Sequence, residues 1–123
     1  MKIERFEDLD SWKKARELVN MLYDLSEQKG FKRDFRLCNQ VRDAGGSIMH
    51  NIAEGFDSGS DAEFIRFLKI SRRSASEVQS QLYLALDRKY ITSDQHQLAY
   101  EKASETKRLI NGLIAYLRKN KNH

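Results

Sequence analysis

Residues 60–88 read SDAEFIRFLKISRRSASEVQSQLYLALDR. Their apolar and small residues Phe64, Phe67, Leu68, Ser71, Ala75, Val78, Leu82, Ala85 and Leu86 return at three- and four-residue steps, so they share one side of an α-helix. Ser60, followed three residues later by Glu63, is a capping-box pair that marks where this helix starts. A long helix with one apolar side has to bury that side against other helices, so the rest of the chain must supply them.

Upstream, Gly55-Phe56-Asp57-Ser58-Gly59-Ser60 reads as a turn, and Leu37, Val41, Ala44, Ile48 and Ile52 keep helical spacing from about Arg36 up to it. Further back, Trp12, Ala15, Val19 and Leu22, flanked by Leu18 and Leu25, predict a helix between Asp8 and Gln28. Gly30 then stands where a helix C′ residue would sit, with a short loop over residues 30–35. Downstream, Thr92 and Gln95 form a second capping box, and Leu98, Leu109, Leu113 and Leu117 mark a last helix. Short connections between helices of similar length favour antiparallel neighbours. The expected fold is all-α: one antiparallel up-down-up-down four-helix bundle spanning residues 1–123, with the tail at 119–123 frayed. The apolar arcs of the first and last helices are wide, which fits equally a broad single core and a face turned to a second subunit.

The composition agrees with such a chain. Of 123 residues, 40% are hydrophobic, 33% are charged and none is proline, which excludes collagenous, proline-rich and disordered classes. The single cysteine, Cys38, forms no disulfide within the chain. The acidic first ten residues lack the apolar run of a signal peptide, and no segment approaches the roughly 18 apolar residues of a membrane span, so a cytoplasmic location without membrane contact is expected. The formal charge of +4 is unevenly placed: residues 1–60 hold ten basic and eleven acidic side chains, residues 61–123 twelve and seven. A basic C-terminal half fits a nucleic-acid partner.

Three groups of residues are candidates for function. Gln40, Ser47, Asn51 and Glu54 form a polar line beside the apolar seam of the second helix. Such groups need partners if buried, which makes a hydrogen-bonded lock between helices their plain role; the functional alternative is a pocket with Glu54 as a base. Arg66, Lys69 and Arg73 lie opposite the Phe64–Leu68–Ser71 side of the third helix, with Arg72 nearer its flank, giving an exposed basic stripe able to contact phosphates. Lys107, Arg108, Arg118, Lys119 and Lys121 form a second basic cluster. His50, His96 and His123 have no second histidine or cysteine at a ligand spacing, so neither a metal nor another cofactor is expected. Cys38 reads as an inert, half-buried thiol. No nucleophile elbow, phosphate-binding loop or RNA-recognition motif occurs.

Phe6, Leu9, Trp12 and Ala15, then Gln40-Val41-Arg42, the run Ser47-Ile48-Met49-His50-Asn51-Ile52-Ala53-Glu54-Gly55, Phe64, Phe67 and Leu68, and further on Ser74, Glu77, Leu82 and Tyr90-Ile91 resemble the four-helix bundle proteins related to the 23S ribosomal RNA intervening-sequence protein, over about residues 3–117. One departure is Ser71-Arg72-Arg73-Ser74, where relatives carry an Ala-x-Gly-Ser step; the two arginines make this member locally more basic. The resemblance implies an antiparallel bundle that assembles as a homo-oligomer, a pentamer, and has no catalytic residues. It also implies nucleic-acid association, since similar bundles are encoded within ribosomal RNA gene inserts or serve retroelements as accessory proteins that contact RNA or a reverse transcriptase. The expected function is a non-catalytic oligomeric bundle associated with RNA or a ribonucleoprotein through Arg66, Lys69, Arg72 and Arg73. A protein-interaction scaffold without RNA binding is the alternative.

Overall fold

The computed structural model describes residues 3–120, and among them the regular elements are all helical. A 3-10 turn at Phe6–Asp8 leads into α1 (Asp10–Ser26). A five-residue helical turn, α2 (Lys29–Arg33), precedes three long helices, α3 (Phe35–Phe56), α4 (Asp61–Asp87) and α5 (Ser93–Asn120). Side-chain contacts set the order of the four long helices. Across α3 and α4, Ser47 meets Ser74, the Ile48 carbonyl meets Ser71, and Gly55 meets Phe64, so one number falls as the other rises. The same inversion runs across α4 and α5 (Gln79 with Ser104, Arg72 with Asn111), across α1 and α5 (Glu17 with Lys102, Lys14 with Glu105), and across α1 and α3 (Ser26 with Cys38, Leu22 with Gly45). Each long helix is thus antiparallel to its two neighbours in a closed ring.

One core fills the ring. Ala15, Leu18 and Leu22 of α1, Val41, Ile48 and Ile52 of α3, Leu68, Ala75, Val78 and Leu82 of α4, and Ala103, Ile110 and Ile114 of α5 are almost completely buried. Helices α3 and α4 approach closely because their facing positions are small. The Ser71 hydroxyl donates to the Ile48 carbonyl (2.8 Å), the Ser74 hydroxyl donates to that of Ser47 (2.9 Å), and Gly55 leaves room for Phe64 and Phe67. Within Ser71-Arg72-Arg73-Ser74 the two serines therefore face α3, while Arg73 is exposed and Arg72 lies half-buried at the α5 flank. The basic substitutions leave the close-approach side of that step untouched.

Local chemistry explains the ends. The Glu63 N–H donates to the Ser60 hydroxyl (3.2 Å), but the Glu63 carboxylate turns to Arg66, so only half of that capping box forms. The Thr92–Gln95 box forms in both directions, at 3.1 and 3.0 Å. Helix α4 ends without glycine. The Tyr90 N–H reaches the Ala85 carbonyl and the Lys89 N–H that of Leu86, a Schellman closure that puts Lys89 in the left-handed region at φ 61°.

The expected loop over residues 30–35 is largely helix. Residues 29–33 make one turn, with Gly30 inside it rather than after α1, because the Tyr90 ring presses on this segment. A Cβ on Gly30 would sit 3.2 Å from Tyr90 Cδ1, Phe31 stacks on the same ring, and the Tyr90 hydroxyl donates to Asp34, whose other oxygen caps α3 at the Leu37 N–H. In α5, Leu98 is not a core residue. It is 65% exposed and Leu109 is half-buried, whereas Ala99, Ala103, Thr106, Ile110, Leu113, Ile114 and Leu117 carry the inward side. The wide apolar arcs are mostly absorbed by the chain's own core. Helix α5 also runs on through Lys119 to Asn120, two residues into the tail expected to fray; residues 121–123, with Lys121 and His123, lie outside the described residues.

Candidate nucleic-acid interface

The polar line on α3 divides. Asn51 donates to both the carbonyl and the hydroxyl of Ser47 (2.8 and 3.0 Å), and Ser74 donates to Ser47 from α4. These groups satisfy one another at the α3–α4 contact and form the interhelical lock. Gln40 and Glu54 are exposed and stand outside it, so the four residues do not converge on a pocket. The sequence reading missed the α4 half of this lock, Ser71 and Ser74. Their signal was two small hydroxyl residues three apart on the apolar side of a long helix.

Cys38 is buried, with its sulfur 3.9 Å from the Ser26 carbonyl, in keeping with an inert thiol. Among the described residues no group of His, Cys, Asp or Glu could hold a metal ion, and no helix is long and apolar enough to cross a membrane.

The basic side chains fall into committed and uncommitted sets. Arg66 is exposed but engaged: it donates to both oxygens of Glu63 (3.0 and 3.1 Å), and its guanidinium lies 4.5 Å from the centre of the Phe67 ring. These donated hydrogen bonds hold Glu63 below the usual carboxylate range. Arg72 is half-buried and donates to Asn111 of α5 (2.8 Å). Lys69 and Arg73 are exposed, and among the described residues no carboxylate pairs with either.

The second basic cluster is split by the fold. Lys107 donates to Gln79 and Arg108 to Glu101, whereas Arg118 is carried to the far end of α5, where it shares a shallow depression with Ala62, Ile65, Arg66 and Lys69. The antiparallel register makes this join. With the α4–α5 turn at residues 88–92, position 118 falls opposite the middle sixties. Sequence reading separated Arg118 from the stripe, although turn length plus helix length was the signal that could have placed it. Arg66, Lys69 and Arg118 thus gather at one end of the bundle, with Glu63 as a neighbouring acid that pairs with one of them, while Arg73 continues the exposed stripe at the middle of α4. Such a surface offers phosphate-binding charge.

Three rings cluster towards the other end of the same two helices. Tyr83 of α4 lies 4.7 Å from His96 and 5.6 Å from Tyr100 of α5, measured between ring centres, and His96 lies 5.6 Å from Tyr100. Tyr83, Leu84 and Leu98 are each about half exposed or more.

Comparison with known proteins returns one family model, that of the 23S rRNA-intervening sequence protein, which matches residues 7–112. Among solved structures, the chain superposes with a TM-score of 0.77 on a crystallised protein of unknown function from the S23 ribosomal protein family of Bacteroides thetaiotaomicron. The two are 26% identical, and the match covers 85% of this chain and 97% of that one. A comparison with curated proteins finds no significant match.

Proposed function

The chain belongs to the 23S rRNA-intervening sequence protein family, and from that premise we propose that it is a non-catalytic, self-associating bundle that binds RNA or a ribonucleoprotein. The observation that carries the reading is the basic surface at one end of α4 and α5. Lys69 and Arg118 stand there without a paired carboxylate among the described residues, Arg66 is beside them, and Arg73 extends the surface, equally unpaired, to the middle of α4. Arg72 contributes from the flank through donors that Asn111 does not use. Binding by such a surface is dominated by counterion release and falls steeply with salt. Assembly as a homo-oligomer, a pentamer by family resemblance, multiplies the patch and its affinity. The non-catalytic reading is supported by the polar line, whose interior members serve as a lock and whose one carboxylate, Glu54, is exposed outside it.

The test is a titration of nuclease-treated protein against labelled structured RNA at low and near-physiological salt, followed by anisotropy. Replacing Arg66, Lys69 and Arg73 together by Glu is expected to abolish binding while leaving the helical signal intact, because all three side chains are exposed. Unchanged binding in that variant would overturn the assignment of the site. The second reading, a protein-interaction scaffold, draws on Leu84 and Leu98, which are 48% and 65% exposed. It predicts salt-tolerant association with a protein and none with RNA.

A further inference from the structure

The seam between α4 and α5 differs in charge from the other seam that α5 makes. Against α1, α5 is held by pairs of opposite sign, Lys14 with Glu105 (3.4 Å) and Lys102 with Glu17 (2.9 Å). Against α4, no ion pair forms among the described residues. Lys69 and Arg118 share the depression at one end, and Arg72 meets Asn111 next along. Gln79 is then held between Ser104 and Lys107 (2.8 and 3.1 Å). The line finishes on the Tyr83–His96–Tyr100 rings, with Tyr83 half exposed. Of the acids near its margins, Glu63 and Glu101 are occupied by Arg66 and Arg108, and Glu77 accepts a hydrogen bond from Gln81 (3.4 Å). From Lys69 to Tyr83 the line spans about 21 Å at the helical rise of ~1.5 Å per residue.

A row of cations that runs into an exposed aromatic ring is the arrangement that holds unpaired nucleic acid, with charge tracking the phosphates and the ring stacking a base. A duplex keeps its bases stacked on each other and gives such rings nothing to receive. We propose that the α4–α5 seam is a track for an unpaired RNA strand, with phosphates at Lys69, Arg72 and Arg118 and a base stacked on Tyr83. This inference rests on the RNA-binding reading and narrows it to single strands.

The experiment compares an unstructured, labelled oligoribonucleotide of about 12 nucleotides with the duplex it forms with its complement, a length within the usual site sizes. The full chain is expected to bind the strand more tightly than the duplex. Tyr83→Ala is expected to weaken strand binding at least about fivefold and to leave duplex binding unchanged, whereas Tyr83→Phe, which keeps the ring, retains the affinity. Arg118→Glu is expected to weaken both probes and to flatten the salt dependence. Equal or tighter duplex binding, an unaffected Tyr83→Ala variant, or a Phe variant as weak as Ala would overturn the inference. Each of those outcomes leaves the RNA reading standing if the Arg66, Lys69 and Arg73 variant still loses both probes. Failure of the unaltered chain to bind either probe at low salt overturns both and turns the exposed Tyr83 ring towards a protein partner.

Discussion

Replacing Gly55 and Gly112 by Ala, one at a time, is expected to change stability in opposite directions, although both glycines lie in helices. Helix propensity alone favours Ala over Gly by about 1 kcal/mol at either position, less near a helix end. At Gly112 nothing lies within 4 Å of where a Cβ would stand, so the propensity gain is realised. A gain of that size raises the melting temperature by about 3–5 °C for a chain of this length. At Gly55 the same Cβ would lie 2.8 Å from Phe67 Cβ, 2.8 Å from Phe64 Cδ1 and 3.3 Å from the Phe64 carbonyl oxygen. Two of those three atoms belong to the α4 backbone or its first side-chain carbon, so no rotamer change relieves the contact. The helices have to move apart, and the core packed beneath them loosens. Overpacking of that kind costs about 1–3 kcal/mol and exceeds the reduced propensity gain near the end of α3. A net loss of about 1–2 kcal/mol follows from that difference. Gly45 is the intermediate case. Its Cβ would meet the Leu22 Cδ1 at 2.9 Å, the tip of a flexible side chain, so Gly45→Ala is expected to fall between the other two. Urea unfolding followed by circular dichroism at several protein concentrations gives the order, provided the denaturant slope stays constant. A Gly55→Ala variant as stable as the parent would refute the claim that α3 and α4 touch there through unyielding atoms. A Gly112→Ala variant that is destabilised more at high protein concentration would show that another subunit covers this part of α5.

Other expectations rest on single contacts. Lys89→Gly relieves the left-handed residue that closes α4 and is expected to stabilise by about 0.5–1 kcal/mol in thermal unfolding, whereas Lys89→Val, β-branched at positive φ, destabilises. Tyr90→Phe keeps the ring on Phe31 and removes the hydroxyl's bond to Asp34; a loss of about 1 kcal/mol is expected in the same assay, with faster amide exchange in α2 than in α4. Thr92→Ala removes the acceptor for the Gln95 N–H and is expected to lower stability by about 1 kcal/mol through the start of α5. Glu17 is held below the usual carboxylate range, first by the hydrogen bond from Lys102 and then by the charges of Lys102 and Lys14. Its contribution is therefore present above the unfolded-chain value of 4.5 and is lost as pH falls through the lower folded value, so Glu17→Gln is expected to flatten the stability curve in that acid range and leave its shape near neutrality unchanged.

Patterns spaced along one chain segment could be read directly. The step of Leu37, Val41, Ala44, Ile48 and Ile52, the Thr92–Gln95 cap and the turn before Ser60 all depend on residues within a few positions of each other, and local stereochemistry decides them. The same holds for the outward direction of Arg66, Lys69 and Arg73, which follows from their angle to Phe64 and Leu68 on one helix. Pairing across helices was not written in any one segment. Residues 29–33 form a helical turn because Tyr90, some sixty positions later, stacks on Phe31 and binds Asp34. Leu98 looked like core and is exposed, because the inward side of α5 is set by how α1 and α4 press on it, with the small residues Ala99 and Ala103 allowing their approach. Arg118 left its sequence neighbours and joined Lys69, and Ser47 found Ser74, through the antiparallel register of the ring. Sequence by itself determined four amphipathic helices, the Ser60 and Thr92 caps of the last two and a basic C-terminal half, because these follow from spacing along the chain. Which face of each helix is covered, and which charges end up side by side, was decided only when the four apolar sides were buried together, since burial acts on surfaces brought into contact and not on positions in sequence.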